Sequence, residues 1–302
     1  MADREHGMAY VPRLIKPVRT IGRRRFDFSR QVAVMAIINR TTHSFYDVGV
    51  TFELRKAVEA AEKAVADGAD WLDISGVPFL NGPDVGADEE LDRVIPLVEA
   101  VRECTDGVIS IDTFRPDVAR HAIASGADVI NDTSGLRDLA MADLAAESGA
   151  SLVITHSLAP PRTPLPRPSY SDVVVEVAEF LRSRAELAIS RGVREEQIIT
   201  DPGHDLHKNT YHSLELTRRL DEIAAIGYPM LTAVSNKDFI GEVTDCPPGG
   251  RLGGTLAAVV MCILQGSRIV RVHNVEPVIS AVRTTEAVLG WRQPVAPVHN
   301  LV

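Results

Sequence analysis

A chain of 302 residues with 45% hydrophobic and 24% charged side chains is long enough to bury one large core. Its formal net charge of -9 argues against nucleic acid or an anionic membrane surface as partner, and no apolar run approaches the ~20 residues of a membrane span. Cys104, Cys246 and Cys262 show no metal-ligand spacing, and an odd, scattered set suits a reducing cytosol.

Residues 13–25 are basic but lack a continuous apolar core, so they do not read as a secretory signal, and residues 1–30 are expected to form a loose extension that could cover the bottom of the fold. Residues 32–38 (VAVMAII) form an uninterrupted apolar run of strand length, as expected of a strand buried on both faces. A helix follows over 51–68, where Leu54, Val58, Ala61 and Val65 recur at helical spacing and Gly68 ends it. The cycle then repeats, with strands at 71–74 and 108–111, a helix over 88–104 between them, and Pro116 at the next helix start. Further strands are expected at 129–130, 152–155, 198–200, 230–234 and 269–272, and a last helix over 277–289. Residues 158–168 (LAPPRTPLPRP) are too rich in proline for helix or sheet and read as a stiff exposed loop, either a mobile lid or a disordered insertion. Residues 239–251 (FIGEVTDCPPGGR) also read as loop.

Eight apolar segments alternating with helices argue for a parallel sheet closed into a (β/α)8 TIM barrel over residues 31–291, with a tail at 292–302. Each strand ends in a polar residue: Asn39, Asp73, Asp112, Asn131, His156, Asp201, Ser235 with Lys237, and Arg271 with His273. Residues at the carboxyl ends of barrel strands converge on one mouth, which is where the site is expected.

The segments MAIINRTTHSFYDVG, WLDISG, ISIDTFRPDVARHAIASGADVINDTSG, IITDPG, HSLELTRRL, VSNKDFIG, RLGGTLAA and VRVHNV resemble, in order and spacing, the signature blocks of dihydropteroate synthase. Within that family the chain is most similar to the divergent second copy of some actinobacteria. The resemblance implies joining a dihydropterin methylene pyrophosphate to p-aminobenzoate with loss of pyrophosphate. It implies Asp73, Asp112, Asn131, Asp201, Ser235 and Lys237 as pterin contacts, a set of acceptors and donors suited to the edge of a flat ring. Arg271 would lie against the ring and meet phosphate oxygens, His273 would add a donor, and Lys237, Arg271 and His273 would act in catalysis. Asn39 matches an asparagine that contacts Mg2+ and pyrophosphate, and the family is usually a homodimer packed through its last helices, where Val278, Ala281, Val282 and Val288 are apolar.

Departures from the family pattern cluster at one end of that site. NVTPDSF has become NRTTHSF, which puts Thr42 for proline and His43 for aspartate. GGESTRPG has become SGVPFLNG, with Phe79 and Leu80 for the threonine and arginine that would hold aminobenzoate and pyrophosphate. GIGFGK has become GHDLHK, with Leu206 for the aromatic beside the aminobenzoate ring, and SRKSF keeps Ser235 and Lys237 but carries Asn236 and Asp238. The expectation is a synthase homologue with a kept pterin pocket and weak or no synthase activity. An active synthase with different loops and a non-catalytic pterin-binding or interaction protein are the alternatives. His204, Asp205 and His207 match no metal-site spacing and read as a solvated loop.

Overall fold

The computed structural model describes residues 9–41, 52–79 and 84–300. A hairpin of β1 (Val18–Ile21) and β2 (Arg24–Asp27) comes first. The barrel opens with β3 (Ala33–Asn39), α1 (Leu54–Ala66), β4 (Trp71–Ser75), α2 (Ala87–Cys104), β5 (Val108–Asp112) and α3 (Pro116–Ala124). It continues with β6 (Val129–Asp132), α4 (Ala140–Ser148), β7 (Ser151–Thr155), α5 (Val173–Ser190) and β8 (Ile198–Asp201). The last units are α6 (Thr210–Arg218), α7 (Leu220–Ala224), β9 (Leu231–Thr232), α8 (Asp238–Thr244), α9 (Leu252–Leu264), β10 (Ile269–Val272) and α10 (Val275–Val288). Strands β3 to β10 form one eight-stranded sheet in the order β8-β7-β6-β5-β4-β3-β10-β9, and a parallel bridge from Thr200 to Met230 joins its two ends. The expected (β/α)8 barrel is therefore the fold.

Register explains where polarity sits. Parallel partners point to the same side of a sheet. Met35, Trp71 and Val108 pair across β3, β4 and β5 and fill the lower barrel. Two residues further along, Asp73 pairs with Ser110, and two beyond that Asn39, Ser75, Asp112 and Asn131 pair in one tier. Thr155 pairs with Asp201 on the far side. An apolar floor thus supports a polar upper barrel.

The N-terminal stretch, read from sequence as a loose extension, holds the β1–β2 hairpin. Phe26 and Phe28 stack with ring centroids 5.5 Å apart, and Phe26 meets the edge of Trp71 at 5.8 Å. Arg19 is buried and donates to the carbonyl oxygens of Ile15, Lys16, Glu196 and Ile198 at 2.6–3.0 Å, so each of its three nitrogens has a partner. Gly22 (φ 56) is required by close approach, because a Cβ there would lie 2.4 Å from the Asp128 carboxylate.

Residues 239–251 are not loop throughout, since α8 occupies Asp238–Thr244. Its stabilising partner is remote in sequence: Asp205 Oδ2 accepts from the Asp238 N–H at 2.7 Å, a charge-assisted cap. Strand β9 is shorter than the expected 230–234, because its ladder with β10 extends over two pairs, Leu231 with Ile269 and Thr232 with Val270.

Replacing Phe28 with alanine should lower the stability measured by urea unfolding by about 3–5 kcal/mol, the range for deleting a buried aromatic ring. A loss below about 1 kcal/mol would show that the hairpin merely rests on the barrel.

Candidate functional site at the barrel mouth

Asp73, Asp112, Asn131 and Arg271 form one bonded cluster. Arg271 Nε donates to Asp73 Oδ2 at 2.6 Å and its Nη2 to Asp112 Oδ2 at 2.9 Å. Ser110 Oγ donates to Asp73 Oδ1 at 2.6 Å, and Asn131 Nδ2 reaches both Asp73 oxygens at 3.2 and 3.3 Å. Asp73 is fully buried with both oxygens taken, so its work in this structure is to hold Arg271 and Asn131 in place. Burial raises the Asp112 carboxyl, and Arg271 pulls the other way.

Asn131 turns its amide nitrogen to Asp73 and leaves its buried Oδ1 with no partner among the described residues. Thr155 Oγ1, on the tier of Asp201, is buried and unpartnered in the same sense. Such groups are rare in native interiors, and a bound ligand is one way to satisfy them.

Asp201 Oδ1 accepts from the Gly203 N–H at 2.8 Å, while its other oxygen has no hydrogen-bond partner among the described residues. Burial pushes this carboxyl up to about 6, opposed by the Gly203 N–H, Lys237 and Arg271. Lys237, at the start of α8, is lowered by burial and lies in the field of Asp205, Arg271 and Asp201. Ser235 Oγ accepts from the His273 N–H at 3.2 Å and sits 3.1 Å from its Nδ1. Burial and the nearby Arg271 and Lys237 lower His273 to about 3, so the ring is neutral near pH 7. Asn39 ends β3, and with His273 it borders a cavity of about 330 Å3 that also touches Lys63, Asp67 and Glu276.

Several residues at this end escaped the sequence reading. Ser110 carries no motif of its own, although its spacing of two from Asp112 places both on one face of β5. Lys208 is buried and donates to the carbonyl oxygens of Gly203 at 2.9 Å, Leu206 at 3.1 Å and His156 at 3.4 Å, and to His156 Nδ1 at 2.9 Å. Burial and Lys208 hold His156 down at about 2, a neutral acceptor. The solvated loop expected at 204–207 is a correction, because His204 and His207 are 1% and 4% exposed. Their side chains diverge: His204 packs on Phe239, Asp205 caps α8 and bonds Ser213, and His207 turns to the proline-rich segment. Phe79 and Leu206 are described and half-buried, whereas Thr42, His43 and Leu80 lie outside the described residues.

The parallel barrel gathers three carboxylates, an amide, a lysine and a fixed arginine at its carboxyl-terminal mouth, a donor and acceptor set of the kind a small polar heterocycle needs. The family of pterin binding enzymes matches residues 35–273. A Mycobacterium leprae protein named inactive dihydropteroate synthase 2 is 43% identical over 274 residues, covering 89% of this chain and 94% of its own. The dihydropteroate synthase of Synechocystis is 37% identical over 279 residues, covering 91% and 96%. The structure of Xanthomonas albilineans dihydropteroate synthase in complex with 7,8-dihydropteroate matches with a TM-score of 0.81 at 34% identity, covering 90% of this chain and 98% of that one. The chain belongs to the dihydropteroate synthase family.

The Asp201 carboxyl makes a prediction with a definite sign. The native group keeps its proton up to about 6, whereas an unfolded aspartate releases it near 4. The native state therefore binds more protons between those values, and stability falls as pH rises through that window before levelling off. Asp201→Asn keeps the acceptor for Gly203 and removes the buried charge, so the unliganded variant should be more stable than the parent at pH 8, by up to about 3 kcal/mol. Equal unfolding midpoints at pH 8 would show that the carboxylate carries no penalty.

Proposed function

We propose that this chain binds a pterin in the barrel mouth and has weak or no dihydropteroate synthase activity. The observation that carries the reading is the contrast between the two ends of the site. At the buried end, Asn131 Oδ1 and one Asp201 oxygen are acceptors with no protein partner among the described residues, set beside Asp112 and Lys237. A pterin edge, with its amino group and ring N–H, needs acceptors of that kind and a donor for its carbonyl. Arg271, clamped by Asp73 and Asp112, offers a fixed planar surface for the ring. In the sequence block after β4, Phe79 and Leu80 replace the threonine and arginine that the family resemblance assigns to aminobenzoate and pyrophosphate. The M. leprae relative, named inactive, supports the same reading.

Catalysis would need positive charge where pyrophosphate departs. His273 is neutral near pH 7 and can donate a hydrogen bond but no charge, leaving Arg271 and Lys237 as the cations. Losing one charge-assisted donor in the transition state costs ~3 kcal/mol, about a hundredfold in rate. A resident Mg2+ fits poorly, because Asn39 is a single neutral oxygen and no cluster of three or more His, Cys, Asp or Glu suited to a metal occurs among the described residues. A hard cation would arrive with a phosphate-bearing ligand or not at all.

A homodimer through the last helices is the quaternary reading, with a corrected contact set. Val278 and Val282 are buried and so face the fold, not a partner. The candidate surface is α9, thirteen residues without a charge, whose Ala257 and Met261 face outward, together with the exposed Val288 of α10. Met261→Lys should shift the sedimentation coefficient toward a monomer, and an unchanged dimer would exclude this surface.

The function is tested by titrating 6-hydroxymethylpterin and its pyrophosphate ester with magnesium into one preparation, and by assaying turnover with p-aminobenzoate. The plain pterin should bind comparatively well and the pyrophosphate should add little. Turnover should lie at least a hundredfold below an ordinary enzyme rate of about 10 per second, and the double change Phe79→Thr, Leu80→Arg should raise it. Turnover of about 1 per second or more in the parent would overturn the reading.

A further inference from the structure

The loops after β4, β7 and β8 are tied together by one side chain. His207 has φ 50, in the left-handed region that L side chains rarely adopt, and its position is a glycine in the family block GIGFGK. Its ring is buried and both nitrogens are engaged. Nε2 donates to the Thr163 carbonyl oxygen at 2.8 Å, so that nitrogen carries a proton. Nδ1 lies 2.8 Å from Ser157 Oγ and accepts from the Ala159 N–H at 3.4 Å. The imidazole therefore spans the two ends of segment 159–163, itself closed as a turn by Thr163 N–H donating to the Pro160 carbonyl oxygen at 3.2 Å.

The other edge of this segment bonds the loop after β4. Arg162 donates from its N–H to the Phe79 carbonyl oxygen at 2.9 Å and from Nη1 to that of Pro78 at 3.1 Å. The Phe79 ring packs 5.9 Å from the His207 ring, and Arg137 Nη2 holds the base of the strap through the carbonyl oxygens of Ser157 and Leu158 at 3.2 and 2.9 Å. Tyr170 Oη donates to the His207 carbonyl oxygen at 2.9 Å and fixes the latch from below. Prolines 160, 161, 164, 166 and 168 stiffen the strap. The stiff exposed loop expected from its composition is bonded at both edges in this structure.

We propose that His207 is a specificity-determining residue that latches the strap and Phe79 across the outer end of the mouth, so that the site takes a pterin with a small substituent and excludes an arylamine second ligand. The proposal rests on the pterin reading above and adds a physical cause for the missing reaction. Phe79 and Leu206 are half-buried, and Phe79 is bonded to the strap and packed on His207, so an aromatic acid seated beside them would have to displace that network.

The test compares the parent, His207→Gly and His207→Asn. Glycine relieves the left-handed backbone and asparagine tolerates it, so both should fold, yet neither spans the two contacts. Calorimetry with 6-hydroxymethylpterin should give affinities within about twofold for all three. In the pterin-loaded state p-aminobenzoate should bind both variants at least tenfold more tightly than the parent, and amide exchange over 159–163 should quicken at least tenfold. Exchange that quickens while p-aminobenzoate binding does not change would overturn the proposal, as would a parent that binds p-aminobenzoate as well as the variants. If no protein of the three binds the pterin, the pocket reading falls, and p-aminobenzoate titrated into the unliganded proteins still decides the latch.

Discussion

A guanidinium held inside a barrel between two carboxylates is the interaction on which the rest of this structure turns. Arg271 lies on β10, Asp73 on β4 and Asp112 on β5, and the residue between β10 and β4 in the ladder is supplied by β3, which carries no charge at that level. The pair therefore acts across the barrel interior. Removing one partner of such a pair leaves an uncompensated buried charge at a cost of about 3–5 kcal/mol, far more than the pair adds when intact. Ser110 and Asn131 complete the coordination of Asp73, so a network across β4, β5, β6 and β10 sets the plane of the guanidinium.

That network is possible because the bottom of the barrel is closed. Phe26 and Phe28 cover Trp71, and the apolar tier of Met35, Val108, Val129, Val153 and Ile199 separates the polar tier from water below. With solvent excluded, burial becomes the largest influence on several groups above it. It raises Asp201 to about 6, lowers Lys208 to about 7, and lowers His204 and His273 to about 3. A ligand that replaces lost hydration with directed hydrogen bonds would find these groups prearranged.

The barrel was legible in the sequence because a strand buried on both faces must be apolar along its length, and only its last residue is free to be polar. The run at 32–38 with its terminal Asn39 shows that rule directly, and Arg271, one residue before the end of β10, shows that polarity can also enter where a side chain faces the barrel interior. What escaped notice depends on partners far away in the chain. Helix α8 contains Gly241 and looked like loop, yet its first N–H groups are capped by Asp205, and Gly241 leaves room for the Arg251 guanidinium, 2.5 Å from where a Cβ would lie. The hairpin at 18–27 is four residues per strand, too short to announce itself without the aromatic floor it packs on. Asp73 and Arg271 were legible as polar strand ends, but not as partners, since nothing local couples residues 198 positions apart.

Two altered positions of the rim are bonded into the fold. Asp205 and His207 occupy left-handed positions, φ 62 and 50, where the family block has glycines, and a substitution accumulated without function would leave that strain uncompensated. Each new side chain instead makes several specific bonds. Asp205 joins Ser213 to the start of α8, which carries Lys237, and His207 joins Ser157, Ala159 and Thr163. Two positions one residue apart thus tie the loop after β8 to helix α8 and to the strap. Among the described residues, the loops after β7 and β8 are therefore joined by bonds that glycine side chains at 205 and 207 could not make.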